Sequence, residues 1–439
     1  MSRTPWGDAA ELRERQLAPG SGIPREDVER NQRERLFAAL VATMAEKGYE
    51  ATRVADVIAL AGVSRKAFYR QFADKEECYS QAAAAIVERT QEALRERIGD
   101  GEEAGLHGRE GLDLLLGATA AQPAAARVLV IEPFAAGPAV RERLERSVAD
   151  LEWTTAGLIA QENGGKRVQR ELARAVLGGI VGTVHKMLRE GRAEELPELA
   201  GPLWRWAASV EPRPVPLGAP VAGGRRAEAA IPFEARVPTE RILRGFAAAV
   251  AEHGYAEVPV AAIASHGRVS LSTFYEHFDG KAVALAAALG SIEAQLLAAT
   301  LPAARAAPRG AATVRAAFGA AMEFFAAEPE LAQLWIVDVM AAGPEAVARR
   351  DRLDVELFAT AAALAGGELS ALEEVAVDAT MGAVHALMYE RVRSEGAAAL
   401  PGLVPMLTYV AVVPFLGAEA AWEAAREGSR EASPAEPGG

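Results

Sequence analysis

The feature that most constrains this 439-residue chain is that it contains one unit twice. Gly48-Tyr49 recurs as Gly254-Tyr255, a displacement of 254 − 48 = 206 positions. Without a gap, the same displacement pairs Val54 with Val260, Val63-Ser64 with Val269-Ser270, Phe68-Tyr69 with Phe274-Tyr275, Phe72 with Phe278 and Lys75 with Lys281. It holds again at Ala136-Gly137-Pro138, which meets Ala342-Gly343-Pro344. Toward the unit ends it slips, so that Gly182 and His185 match Gly382 and His385, and Leu196-Pro197 matches Leu400-Pro401. The chain is a tandem duplication of two units, each long enough to bury its own core.

Each unit reads as helical almost throughout, so the expected fold class is all-α. Leu36, Phe37, Leu40, Val41 and Met44 form an apolar stripe at helical spacing, and Ile242, Leu243, Phe246, Ala247 and Val250 repeat it. Gly48 and Gly254 then end the first helix of each unit. Thr52 or Arg53 opens the next helix in the first copy, and Pro259, suited to the first helical position, opens it in the second. Between the copies, Glu211 to Pro238 carries six prolines, paired glycines and Arg225-Arg226, the composition of an extended linker. Both chain ends read as mobile tails for similar reasons.

After the first helix comes a short one from Val54 to Leu60, a tight Ala61-Gly62-Val63 turn, and a second short helix from Ser64 to about Phe72. Two short helices joined by a glycine-containing turn make a helix-turn-helix, whose second helix can enter the major groove. Val57, Val63, Phe68 and Phe72 are expected to lock it onto the first helix. Arg65, Lys66, Ala67, Tyr69 and Arg70 then face outward, with three cations and no carboxylate between Arg65 and Gln71. The local sign matters because the chain as a whole is acidic, with 47 Lys and Arg against 60 Asp and Glu, a net charge of −13. Contact with nucleic acid must therefore come from such a patch and not from the overall field.

The run Gly48-Tyr49-Glu50-Ala51-Thr52, with Ala61-Gly62-Val63-Ser64, Phe68-Tyr69 and Phe72-Ala73-Asp74-Lys75-Glu76, resembles the DNA-binding domain of TetR/AcrR-family transcriptional regulators. The second copy repeats the resemblance in Gly254-Tyr255, Val269-Ser270, Ser272-Thr273-Phe274-Tyr275, His277-Phe278 and Lys281. The resemblance implies a domain division. It comprises a tail over 1–28, a helix-turn-helix domain over 29–80, a helical effector and dimerisation domain over 81–210 and a linker over 211–236. A second helix-turn-helix domain over 237–286, a second helical domain over 287–419 and a tail over 420–439 complete it. It also implies site residues. Thr52 and Arg53 would meet phosphate, Arg65, Lys66 and Ala67 would face base edges or nearby backbone, and Tyr69 and Lys75 would donate to phosphates. Arg65 is the expected sequence reader, since arginine bidentate to guanine is the commonest specific contact.

The second copy departs from this pattern. Arg65-Lys66 becomes Leu271-Ser272, Arg70 becomes Glu276, and no lysine or arginine lies between Ser270 and Phe278. Its contacts are expected from Ser272, Thr273, Tyr275, His277 and Lys281, on an unequal half-site.

Fusing two units makes each the other's partner at high effective concentration, so a pseudo-two-fold arrangement within one chain is expected, with a homodimer of chains as the alternative. Gly178 and Gly182 lie four apart on one helical face, which lets another helix approach closely, and Gly382 with His385 mirrors Gly182 with His185. This seam is expected to be a four-helix bundle, with Ser370 and Glu373 forming a capping box and Gly191 and Gly396 ending its helices. The resemblance further implies an unidentified small-molecule effector among the C-terminal helices. Candidate pocket groups are Glu132 and Asp338, which correspond inside apolar runs, together with Trp335, His185 and His385. A carboxylate buried in such a run calls for either a ligand role or a salt bridge to arginine.

A regulator acting on double-stranded DNA, most simply a repressor, is the leading reading. A helical ligand-binding or protein-interaction module with decayed heads is the second. An enzyme lacks support: the six histidines are scattered, with no HExxH, phosphate loop or nucleophile elbow. One cysteine, Cys78, permits no intrachain disulfide and makes a metal site improbable, and no cofactor is expected. The polar start, and an apolar stretch from Leu403 to Leu416 broken by Pro405 and Pro414, read as a cytoplasmic protein without a membrane partner.

Overall fold

The computed structural model describes residues 3–17, 22–98, 108–136, 168–212, 237–367 and 373–430, with isolated positions between 137 and 167. Its secondary structure is helical, as the apolar stripes require. The only strands among the described residues are a two-residue antiparallel pair, β1 (Arg3–Thr4) and β2 (Gly7–Asp8).

In the first copy, α1 (Arg25–Ala51) buries Leu36, Leu40 and Met44 along one face and changes direction at Gly48, whose φ of 78° ends the regular helix. α2 (Val54–Ala61), α3 (Arg65–Gln71) and α4 (Lys75–Ile98) follow. Phe37, Phe68 and Phe72 pack ring against ring, with centroids 5.8 Å and 5.5 Å apart along the chain of contacts. Each such fully buried side chain contributes roughly 1.5–3 kcal/mol, which is what fixes α3 against α1. α5 (Gly108–Ala121), α6 (Pro123–Val130), α7 (Arg170–Glu190) and α8 (Leu196–Ser209) come next.

The second copy repeats the plan. α9 (Pro238–His253), α10 (Val260–His266), α11 (Leu271–His277) and α12 (Lys281–Ala306) correspond to α1 to α4. α13 (Ala311–Ala327) and α14 (Pro329–Ala332) lead into a π-helical turn over Gln333–Val337 and a 3-10 turn over Asp338–Ala341. α15 (Pro344–Ala365), α16 (Glu374–Glu395) and α17 (Val404–Arg430) complete it.

The chain divides into two compact units, Met1–Leu151 with Val184–Trp204, and Glu152–Thr183 with Arg205–Gly439. This division cuts across the expected boundary near residue 210, because the first half of α7 and the end of α8 pack with the second unit. The reason lies in the glycines. A Cβ on Gly182 would stand 2.8 Å from Gly382 Cα, and one on Gly382 would stand 2.8 Å from the carbonyl oxygen of Gly178. The α7 and α16 backbones therefore touch, which only glycine permits. Beside them Trp206 donates from Nε1 to Thr380 Oγ1 at 3.1 Å, and Arg174 pairs with the buried Glu152 and with Glu390.

Other sequence expectations change. The described residues 3–17 are not a free tail: Trp6 and Leu12 are buried, Trp6 packs on Phe37 at 5.3 Å, and Arg13 donates to the Ala59 carbonyl. At the other end α17 continues past residue 419, with Ala421 and Ala425 buried and Trp422 edge-on to Tyr409. Pro414 does not break it, and the non-helical residue is Gly417, at φ 75°. Pro259 is the N-cap of α10, one residue before the first helical position. α16 has Glu373 as its N-cap without a side-chain cap, and Ser370 lies outside the described residues. So does most of the linker, from 213 to 236. Gly191 and Gly396 follow α7 and α16 at φ 73° and 85°.

By length and composition two helices, Lys281–Ala306 and Ala397–Arg426, are long and apolar enough to cross a membrane, and the bent pair Gly108–Ala121 with Pro123–Phe134 meets the same test together. In α17 that apolarity is used inside the protein, where Leu407 and Tyr409 through Val413 are buried.

Candidate nucleic-acid interface and apolar cavity

The two heads are built by the same local devices. Ser64 Oγ accepts from the Ala67 N–H at 3.2 Å and starts α3, and Ser270 Oγ accepts from the Thr273 N–H at 3.0 Å and starts α11. The turn ahead of each is held by an arginine from the preceding long helix. Buried Arg35 donates to the carbonyls of Ala61 and Gly62 at 2.6 and 3.4 Å, while Arg241 donates to those of Gly267, at 3.1 Å, and Arg268. Burial and the nearby Arg15 hold the Arg35 guanidinium below its ordinary pKa. These clasps went unread in the sequence, although 241 − 35 = 206 is the repeat displacement.

On α3 the outward face carries Arg65, Lys66, Tyr69 and Arg70, with Tyr69 46% exposed. Arg65 lies over the Tyr69 ring, 5.6 Å from its centroid. Arg70 is drawn back toward α1 by Glu29 and Gln32, at 3.9 and 3.4 Å. Among the described residues Arg65 and Lys66 make no ion pair or side-chain hydrogen bond, so their donors are open to a ligand. Arg53 is also exposed, at the N-cap of α2.

Four expected contacts are placed elsewhere. Ala67 is buried beneath α3, because its position falls on the Phe68 side of the helix. Thr52 is buried and donates from Oγ1 to the Gly48 carbonyl at 2.7 Å, holding the chain where α1 ends. Lys75 turns inward, donating from Nζ to the carbonyls of Tyr49 and Thr52 at 2.7 and 3.0 Å, over the Tyr49 ring at 3.8 Å. Desolvation lowers its pKa against the pull of Glu50. Lys281 does the same with Tyr255 and Ala256, at 2.8 and 3.0 Å. Both lysines satisfy carbonyls left over at a helix end, the cost of which would otherwise fall on the fold.

The second head presents a different face. Leu271 and Tyr275 are 48% and 54% exposed. Ser272 Oγ donates to Glu276 at 3.2 Å, Thr273 Oγ1 lies 2.8 Å from Ser270 Oγ, and His277 Nδ1 lies 3.2 Å from Thr239 Oγ1. The nearest cation ahead of α11 is exposed Arg268, at φ 50° in the left-handed region where the first copy has Gly62 at φ 62°.

The expected effector residues have different surroundings. Glu132 is buried, where its Oε2 accepts from the Tyr49 N–H at 2.8 Å and its Oε1 pairs with Arg127 at 3.5 Å. Burial raises its pKa, opposed by that N–H and by Arg127. His185 lies 3.5 Å from Arg189, on α7. Asp338 is buried in the turn after the π-helix. Trp335 and His385, in contrast, both line an apolar cavity of about 80 Å³ in the second unit. Its walls come from α12, α13, α15, α16 and the π-helical turn, and include Phe318, Met322, Phe325, Phe358, Met381 and Met388. Asp354 also lines it, a residue the sequence reading passed over because an acid on an amphipathic helix looks solvated. Burial pushes the Asp354 carboxyl up to about 7, with Asp351 adding to the rise, against Arg350 and a hydrogen bond from Trp335. Among the described residues no group of three or more His, Cys, Asp or Glu side chains could hold a metal ion.

A helix-turn-helix locked by a phenylalanine core, with a cationic face on its second helix, defines a DNA-binding protein. Residues 36–82 and 242–288 each match the family described as bacterial regulatory proteins, tetR family. The chain carries that family's DNA-binding domain twice in tandem and is a DNA-binding transcriptional regulator. No curated protein matches the chain.

Proposed function

We propose that this protein is a cytoplasmic repressor whose two fused units act as an intramolecular pseudo-dimer on unequal half-sites of double-stranded DNA, and that a small molecule in the second unit's cavity releases it. The observation that carries the reading is α3: its open cations, Arg65 and Lys66, stand beside exposed Tyr69 on a helix anchored by buried Phe68 and Phe72. In this reading Arg65 reads a base edge, while Lys66, Tyr69 and Arg53 contact phosphate or nearby backbone. In the second head Tyr275, Ser272, Thr273 and His277 supply weaker contacts. The backbone approach of Gly178 and Gly182 to Gly382 supports a seam between the copies. Release requires the effector to bind the DNA-incompetent state more tightly than the competent one.

Binding-site selection from genomic fragments, followed by footprinting, tests the reading. The expected result is an asymmetric site whose stronger half is lost in Arg65→Ala/Lys66→Ala, with the salt slope falling by about 1 for each phosphate contact removed. Unchanged affinity at low ionic strength in that double variant overturns it. Light scattering that finds two chains per DNA-free particle would replace the pseudo-dimer with a homodimer of chains.

A second reading has its own support. Leu271 and Glu276 stand where the first head has Arg65 and Arg70, so α11 exposes an apolar and an acidic side chain. A second head given over to protein contact predicts a footprint covering one half-site only, unaltered in Tyr275→Ala.

A further inference from the structure

We propose that Leu271 is the base-reading side chain of the second head and that it recognises the C5-methyl group of a thymine in the major groove. This rests on the half-site reading above and names the base chemistry that the weaker half-site must offer.

Leu271 occupies a reading position. It is the first residue of α11, as Arg65 is of α3, and 271 − 65 = 206 is the repeat displacement. The opening residues of the second helix of a helix-turn-helix are those that reach base edges. Both helices are placed by the same devices, a serine cap (Ser64 or Ser270) and a buried phenylalanine pair (Phe68 with Phe72, or Phe274 with Phe278). The start of α11 therefore meets the same part of the groove in its half-site as Arg65 does in its own.

The chemistry of α11 decides what it can read. Leu271 and Tyr275, one turn apart on the same face, are both exposed. On α3 the Arg65 guanidinium lies over the Tyr69 ring, whereas α11 puts an aliphatic side chain in that place. The polar groups alongside are engaged within the head: Ser272 with Glu276, Thr273 with Ser270, and His277 with Thr239. No lysine or arginine lies between Ser270 and Phe278, and the Glu276 carboxylate is repelled by phosphate, so charge does not hold this face to the duplex. What it offers is apolar surface. Among the groups that base pairs present in the major groove, the thymine methyl is the one that apolar side chains contact. Facing guanine, Leu271 would displace water from N7 and O6 without supplying a donor, which disfavours G·C at that position.

Fluorescence anisotropy of the full chain tests this on the duplex recovered by site selection. Thymines of the weaker half are replaced one at a time by deoxyuridine, which keeps the pairing and lacks only the methyl. One replacement is expected to weaken binding about fourfold, the worth of one buried methyl group. The loss should be the same at about 50 and about 200 mM salt, since a methyl contact releases no counterion. It should disappear in Leu271→Ala, and Leu271→Arg should move the preference at that base pair to guanine. A protected weaker half in which no thymine replacement matters, a loss that survives in Leu271→Ala, or a Leu271→Arg protein that keeps the thymine preference overturns the assignment and leaves the second head as a DNA reader. A footprint that stops at the stronger half overturns the half-site reading, and the assignment with it.

Discussion

Glu132 accepts the backbone N–H of Tyr49 at 2.8 Å, across 83 residues of sequence. The carbonyl of the same tyrosine takes Lys75 Nζ at 2.7 Å, so this residue at the end of α1 is held by one group from the helical domain and another from the head itself. The contact lies where a movement of the helical domain would reach the reading helix. Glu132→Ala leaves a buried N–H without an acceptor and should cost about 1–3 kcal/mol of stability, while Glu132→Gln keeps an acceptor and should cost much less. Urea denaturation of both variants measures this. Equal losses in both would mean that the charge on Glu132, paired with Arg127, matters more than the hydrogen bond.

The arginine clasp makes a second prediction. Arg35→Ala strips the carbonyls of Ala61 and Gly62 of their donor and opens a gap beside α1, so the first head should lose about 1–3 kcal/mol. Arg35→Lys offers one nitrogen to those carbonyls, as Nη1 does, but loses the Nε donation to Asn31 Oδ1 at 3.0 Å and should recover only part of the loss. Hydrogen exchange localises the effect: amides of α2 and α3 should open first, those of α13 and α15 should be unchanged. Uniform loss of protection would argue against a local clasp.

The turn of the second head carries strain the first avoids. Arg268 takes φ 50°, where its Cβ crowds the following carbonyl, whereas the first copy places glycine there. Arg268→Gly should therefore stabilise the chain by roughly 1 kcal/mol, seen as a higher denaturation midpoint. A lowered midpoint would mean that the arginine side chain makes a stabilising contact that exceeds the backbone cost.

Legibility in the sequence followed physical scale. The repeat, the helical class and the phenylalanine core were readable because each depends on spacing alone, and Ser64 and Ser270 cap the reading helices as their type predicts. What could not be read was the direction of long polar side chains. Lys75 and Lys281 turn toward leftover carbonyls, a choice made by tertiary distance and not by any local pattern. Ala67 needed the helix phase to within one residue to be placed inside. Trp6 and Leu12 belong to a segment too short and polar to signal burial, and they are covered only because α1 offers a surface. Asp354 and Arg350 became notable only once α15 was packed against the π-helical turn and α16.

Asp354 also makes stability depend on pH, in the direction opposite to a surface carboxylate. Its pKa rises from 3.8 to about 7 on folding, chiefly by burial and then by Asp351, with Arg350 and Trp335 opposing. Below pH 4 the carboxyl is protonated in both states and costs nothing. Between pH 4 and 7 the unfolded chain has released the proton and the folded chain has not, so this group's contribution falls as pH rises. Above pH 7 both are ionised and the penalty is constant, at most roughly 4 kcal/mol for a shift of about three units. Asp354→Asn removes the penalty while keeping an acceptor for Trp335. The stability difference between variant and parent, from urea denaturation at intervals from pH 5 to pH 8, should therefore grow with pH in favour of the variant and level off above 7. A difference independent of pH would mean that Arg350 neutralises Asp354 fully.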